Sequence, residues 1–199
     1  MKAESVVFAI AGMLFGLIVG WIIGDQQARS ARPVPAPAQS AAPAAQKPGP
    51  RPLDETKVRA LTTITQNDPK NAEARAQLGN LYFDAELFPD AIRWYEESLT
   101  LDPKNVDVST DLGVSYYYAN QADRALEQFD TSLRLQPNHS KTLLNQGIVR
   151  AFGKRDLQGA AESWQKLLEV SPNSPEAQAA RQGLDGLKAA QANAGPSGG

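Results

Sequence analysis

No cysteine occurs among the 199 residues, and there is one histidine, His139. The first absence removes disulfide frameworks, thiol nucleophiles and sulfur metal sites, while leaving the redox compartment open. The second leaves a metal or a catalytic triad without the second imidazole or the spaced carboxylates it needs, so His139 reads as a surface turn residue behind Pro137. No glycine-rich phosphate loop is present. An excess of basic charge is missing too. Lys and Arg number 20 against 22 Asp and Glu, a formal net charge of -2, and the two signs are interspersed. That balance offers no footprint for a phosphate backbone and argues against nucleic acid as a partner. Asp68-Pro69 and Asp102-Pro103 read as helix-ending turns and Glu96-Glu97 as a solvated helix face. An enzyme is not expected, and no cofactor or metal is called for.

What is present is unevenly spread. Val6 to Ile23 forms a run of 18 uncharged residues, which as a helix spans about 27 Å, close to a bilayer core. It is longer than the apolar stretch of a secretory signal, and the nearest small-x-small site, Ala28 to Ser30, is interrupted by Arg29, so residues 1-30 read as an uncleaved anchor. Gly12, Gly16, Gly20 and Gly24 recur every fourth residue and line one face, three overlapping GxxxG patterns through which two anchors can pack into a homo-oligomer. Lys2 lies on one side of the run, Arg29 and Arg32 on the other, so counting positive charges does not orient it. The short leader favours an inner-membrane protein whose following domain is periplasmic; a cytoplasmic domain is the alternative. Residues 31-52 are almost entirely Ala, Pro and Gln with scattered basic residues, prolines standing at Pro33, Pro35, Pro37, Pro43, Pro48, Pro50 and Pro52. Such a tract favours polyproline II at about 3.1 Å per residue and makes a semi-rigid spacer reaching at most roughly 65 Å. Residues 191-199 read as a disordered tail.

The middle of the chain repeats. Pro69, Pro103 and Pro137 stand 34 residues apart, and Gly79, Gly113 and Gly147 keep the same step. Leu78-Gly79-x-x-Tyr82, Ala91-x-x-x-Tyr95 and Pro103 are followed by Leu112-Gly113-x-x-Tyr116, Ala125-x-x-x-Phe129 and Pro137. A third unit keeps Gly147 and Pro172, puts Gln146 and Arg150 where the first two have Leu and Tyr, and carries one extra residue near Gly153 to Gly159. That predicts a longer turn before Ala160-x-x-x-Trp164 and a helix face freer to contact something else.

This pattern resembles the tetratricopeptide repeat (TPR) family over residues 53-190. The resemblance implies an all-α fold, a right-handed α-solenoid of three helix pairs (about 72-105, 106-139 and 140-174) with capping helices at 54-66 and 175-190. In that reading Gly79 and Ala91 allow close helix approach, Leu78, Tyr82 and Tyr95 fill the core, Leu61 and Ile64 of the front cap align with Tyr95 and Ser98, and Ser174 caps the last helix. The family's first helices line a concave groove. By position in the repeat it contains Glu73, Ala76, Gln77, Asn80, Phe83 and Asp84; Asp107, Thr110, Asp111, Val114, Tyr117 and Tyr118; and Lys141, Leu144, Asn145, Ile148 and Phe152. Some chaperone-adaptor members clamp a C-terminal carboxylate there with Lys, Asn or Arg. Asn80 and Lys141 match that clamp, whereas Ala76, Asp111 and Asn145 do not, and Asp111 would repel the carboxylate. The resemblance therefore implies a membrane-tethered scaffold that captures a protein or peptide client, an amphipathic helix or an apolar peptide with some positive charge, for assembly of a membrane or envelope complex. A self-associating structural organiser is the alternative, a non-catalytic subunit of an enzyme complex a third.

Overall fold

A computed structural model of the chain describes residues 51–193. The expected membrane helix, its glycine stripe and the expected linker up to residue 50 lie outside the described residues. Among the described residues no helix is long and apolar enough to cross a membrane.

Those residues fold entirely into helices joined by short turns: α1 Glu55–Asn67, α2 Ala72–Asp84, α3 Phe88–Leu101, α4 Val106–Tyr118, α5 Ala122–Leu135, α6 Ser140–Ile148, α7 Leu157–Val170 and α8 Pro175–Asn193. Local chemistry sets the starts. Asp54, Asn71, Asn105 and Asp156 each accept a backbone N–H two residues into the helix they precede, at 2.8–3.1 Å, and Ser174 does the same for α8 at 3.2 Å, with Pro175 in its first turn. Asn71 and Asn105 are one period apart, so the repeat carries its own cap. At the far end α8 continues to Asn193, beyond the expected end at 190 and into what reads in sequence as tail.

Helices pair as α2 with α3, α4 with α5, and α6 with α7, while α1 packs on α2 and α8 on α7. Glycine sets the closeness of each pair. A Cβ on Gly79 would stand 2.5 Å from the Tyr95 ring, one on Gly113 2.5 Å from the Phe129 ring, and one on Gly147 would collide with the Trp164 indole. Tyr95, Phe129 and Trp164 are accordingly buried, the first two within a cluster that includes Ala91, Leu112, Tyr116 and Ala125, the third within one built on Leu143, Leu167, Ala177 and Ala180. Polar bonds stitch the same seams: Ser98 donates to the Ala72 carbonyl at 2.9 Å, and Ser132 and Gln128 both reach Ser109 at 2.7 Å.

Between the two helices of each pair the chain turns through a left-handed residue, Glu86 at φ 58°, Asn120 at φ 61° and Arg155 at φ 57°. In the first two turns the following amide closes back five residues, Leu87 to Tyr82 at 2.9 Å and Gln121 to Tyr116 at 2.8 Å. In the third, Asp156 closes back six, to Arg150 at 2.8 Å. The extra residue of the third repeat is therefore not accommodated by a longer turn, as expected from sequence. It is absorbed as a π-helical segment, Val149–Lys154, that continues α6. Nor are Gln146 and Arg150 free for an outside contact. Buried Gln146 donates to Asp130 at 2.8 Å and accepts from Ser163 at 3.0 Å, and Arg150 binds the Gly159 carbonyl at 3.0 Å and Ser163 at 3.2 Å. Arg150 thereby satisfies the Gly159 carbonyl beyond the π-helical segment, and Gln146 links Asp130 of α5 to Ser163 of α7.

The glycine contact yields a direct expectation. Gly113→Ala should destabilise the domain by about 1–3 kcal/mol, the usual penalty for overpacking, and the double variant with Phe129→Leu should cost clearly less than the sum of the two single changes in urea unfolding. An additive double variant would mean that the ring on the glycine does not set the helix spacing.

Candidate functional site

The first helices of the pairs, α2, α4 and α6, present the residues singled out from the repeat, and burial divides them. Ala76 and Thr110 are buried and belong to the packing between helices, which corrects their expected place on the open face. Thr110 touches Thr142 at 2.6 Å and bonds the Val106 carbonyl at 2.8 Å. His139 joins them rather than lying on the surface: its side chain is 15% exposed, Nδ1 is 2.7 Å from the Thr142 hydroxyl and Nε2 is 3.3 Å from Asp107. Standing directly before α6 and joining that helix to α4 through Thr142, Thr110 and Asp107, this histidine has a structural use, and no group of three metal-binding side chains exists among the described residues.

Glu73, Gln77, Asn80, Asp84, Asp107, Tyr118 and Phe152 are exposed, and Phe83, Asp111, Val114, Tyr117, Lys141, Leu144, Asn145 and Ile148 are half-buried. Val114 leans on the larger apolar cluster, Leu144 and Ile148 on the smaller. The two side chains that fit the family's carboxylate clamp are both engaged inside the protein. Asn80 Oδ1 accepts the Tyr95 hydroxyl at 2.6 Å, and Lys141 is ion-paired to Asp111 at 2.7 Å. The Asn145 amide likewise turns back to the Lys141 carbonyl at 2.8 Å. Burial pushes the Asp111 carboxyl above its ordinary range, with Lys141 opposing it, and burial drives the Tyr95 hydroxyl far upward, assisted by Asp111 and Asp84. Tyr95 thus remains a neutral donor, and the face carries the carboxylates of Glu73, Asp84, Asp107 and Asp111 against Lys141.

At the end of α2 and α4 the aromatic residues gather. Phe83 meets Tyr118 edge-on at 5.8 Å, and Tyr118, 49% exposed, tilts against Tyr117 at 5.6 Å. Phe88, at the start of α3, completes the group, stacked on Tyr118 at 5.1 Å and edge-on to Phe83 at 5.6 Å. Phe88 was not anticipated from the repeat, since it stands on a second helix; the apolar Leu87-Phe88 pair directly before Pro89 is the signal that marks it. Phe152, 41% exposed, stands apart on the π-helical segment of the third repeat, and the three aromatics of α2 and α4 do not extend to it in any ring contact. Arg51 reaches the same end, its backbone N–H on the Asp84 carbonyl at 3.3 Å and its guanidinium on the Asp84 carboxylate at 3.2 Å.

The Lys141–Asp111 pair makes a pH-dependent expectation. A raised folded pKa means that the ionised carboxylate is the form the fold disfavours, so its share of stability is recovered as pH falls through that pKa. Lys141→Ala should therefore cost about 1 kcal/mol at neutral pH, with the loss vanishing in acid, and should move the Asp111 titration, followed by carboxyl carbon NMR, further up. A downward movement would show that the ammonium does not hold the carboxylate ionised.

Two family models match the chain, TPR repeat over residues 79–118 and Tetratricopeptide repeat over residues 110–175. No curated protein sequence matches it. Among solved structures, the crystal structure of MamA is 20% identical with a TM-score of 0.56, covering 69% of this chain and 86% of its own. The first TPR of Spaghetti (RPAP3), bound to the HSP90 peptide SRMEEVD, is 25% identical with a TM-score of 0.56, covering 63% of this chain and 96% of its own. The Sgt2 TPR domain from Aspergillus fumigatus is 25% identical with a TM-score of 0.56, covering 64% of this chain and 86% of its own.

Proposed function

From the premise that this chain belongs to the tetratricopeptide repeat family, we propose that it is a non-catalytic scaffold whose first-helix face captures a cationic, partly apolar segment of a client protein. The observation that carries this reading is the charge of that face. Glu73, Asp84 and Asp107 stand exposed, and the one ammonium in the series, on Lys141, is held by Asp111. A face so charged repels an acidic peptide and attracts Lys and Arg, which fixes register and speeds association. The aromatic group of Phe83, Phe88, Tyr117 and Tyr118 adds an apolar patch of the composition that dominates binding energy at interfaces. A structural neighbour holds an acidic peptide, SRMEEVD; at the matching positions of this chain Lys141 is held by Asp111 and Asn80 is tied through Oδ1 to Tyr95, which leaves the Asn80 N–H groups but no unpaired cation to meet a carboxylate.

Fluorescence anisotropy tests the reading. A labelled peptide alternating Arg and Leu should bind the full chain at least about tenfold more tightly than labelled SRMEEVD, a difference near 1.4 kcal/mol. The paired charge reversals Glu73→Lys and Asp84→Lys should erase the preference, and added salt should reduce it. Tighter binding of SRMEEVD would sink the proposal.

The scaffold is tethered by the apolar run Val6 to Ile23 to the inner membrane, with the repeats on the periplasmic side, where the client is assembled into a membrane or envelope complex. A C-terminal alkaline phosphatase fusion should then be active. Gly16→Ile with Gly20→Ile should abolish anchor self-association in a membrane two-hybrid measurement while insertion survives. An inactive fusion reverses the orientation, and an unchanged two-hybrid signal removes the glycine-faced dimer.

A further inference from the structure

Between α1 and α2 lies a cleft of about 400 Å³, lined by Lys57, Ala60 and Leu61 from one helix and Gln77, Asn80 and Leu81 from the other. Its origin is a deficit of side-chain volume. One period later, Trp94 and Tyr95 occupy the positions of Ala60 and Leu61. Tyr95 is drawn fully into the core and Trp94 is half-buried, whereas the methyl of Ala60 and the shorter Leu61 leave the α1–α2 seam open. The floor is apolar, from Ala60, Leu61, Leu81 and the aliphatic stem of Lys57, whose ammonium lies 3.3 Å from Asp54.

The two amides on the α2 wall have opposite polarity, and each is set by a contact on its other side. Asn80 Oδ1 accepts the buried Tyr95 hydroxyl, so the Asn80 N–H groups are the part that remains to face a ligand. Gln77 Nε2 donates to Glu73 at 2.9 Å, which leaves Gln77 Oε1 as an acceptor. Residues three apart on a helix are neighbours on one face, about 5–6 Å between Cβ atoms. A donor and an acceptor at that spacing match the C=O and N–H that one residue of an extended chain presents along a single edge. A helical ligand has these groups satisfied internally and gains nothing from them. Along α2 the cleft is flanked by carboxylates, Glu73 one turn before Gln77 and Asp84 one turn after Asn80.

We infer that this cleft is a recognition pocket for one apolar side chain, of leucine size, in an extended client segment whose neighbouring residues are Lys or Arg. The side chain enters between Ala60, Leu61 and Leu81, the backbone of that residue bonds Asn80 and Gln77, and the flanking cations face Glu73 and Asp84, Asp84 exchanging its exposed partner Arg51. This rests on the reading of the first-helix face as a cation-seeking surface, and it deepens it in three ways: it places the anchor at the front of the repeats rather than at the aromatic end, it brings α1 into the site, and it selects an extended over a helical client.

The test titrates the full chain, labelled with carbon-13 at its Ala and Leu methyl groups, with three tripeptide amides: acetyl-Arg-Leu-Arg-amide, acetyl-Arg-Ser-Arg-amide and acetyl-Glu-Leu-Glu-amide. The Arg-Leu-Arg peptide should shift the Ala60, Leu61 and Leu81 methyls saturably, leave Leu167 unmoved, and bind about tenfold more tightly than Arg-Ser-Arg, as burial of a leucine predicts. Ala60→Phe, which fills the cleft, should lower Arg-Leu-Arg to the level of Arg-Ser-Arg without changing the thermal melt. Gln77→Leu, at an exposed position and so harmless to folding, should weaken Arg-Leu-Arg by about threefold or more through the lost backbone bond. Equal binding of Arg-Leu-Arg and Arg-Ser-Arg, both above Glu-Leu-Glu, would overturn the pocket while leaving the acidic-face reading intact. Glu-Leu-Glu matching Arg-Leu-Arg, with both still lost in Ala60→Phe, would support the pocket and overturn the charge reading instead.

Discussion

An aromatic ring lying on a bare glycine is the contact from which the rest of the domain follows. Tyr95 on Gly79, Phe129 on Gly113 and Trp164 on Gly147 leave no room for even a methyl group. That absence lets each second helix lie close against its own first helix, and the close pair then buries Ala91, Ala125 or Ala160 at the crossing. With the pair spacing fixed, the apolar sides of successive pairs have only one another to cover them, so stability accumulates by stacking and the ends require α1 and α8 as covers. The third unit shows how strongly the contact is held. It uses the largest ring, inserts a residue and replaces two apolar positions with Gln146 and Arg150, yet it keeps indole on glycine by widening the end of α6 into a π-helical segment.

The same packing determines which chemistry reaches solvent. Tyr95 fills the first seam with its ring and then turns its hydroxyl outward to Asn80, which ties an open-face amide to the core through its oxygen and leaves its N–H groups unengaged by that bond. Thr110 and Thr142 bond across the second seam and draw His139 into it, removing from the surface a residue that the turn alone would expose. Asp111 is half-buried between repeats, and its answering cation, Lys141, comes from the next repeat at 2.7 Å. Each of these pairs connects sequence-distant residues that are adjacent because the helices stack. The residues left exposed in this process, Glu73, Asp84 and Asp107 with the aromatic group around Tyr118, are those on which the proposed capture of cationic and apolar segments rests.

How much of this is legible in the sequence depends on whether a signal is local or periodic. The 34-residue step of proline and glycine marks three helix pairs and their order, because every period carries its crossing glycine and the first two also an Asn cap, Asn71 and Asn105. Phase also places Asn80, Asp111, Lys141 and Tyr118 on the first helices. It does not distinguish a side chain that merely points to the face from one that the next helix covers, which is why Ala76 and Thr110 sit inside. Phe88 escaped for the complementary reason: it belongs to a second helix by phase and reaches the aromatic group only through the turn.

The sequence by itself determined the elements, their pairing and the charge available to the first-helix face, since these depend on residue type at fixed separation along the chain. Only the tertiary structure decided how the extra residue of the third repeat is absorbed, which clamp-like groups are already bound, and where a cleft opens between α1 and α2. Those outcomes rest on hydrogen bonds and excluded volume between residues far apart in the chain, the Tyr95 hydroxyl on Asn80, Lys141 on Asp111 and the shortfall of Ala60 against Trp94. A repeat pattern records what each position is, whereas packing decides which neighbour reaches it first.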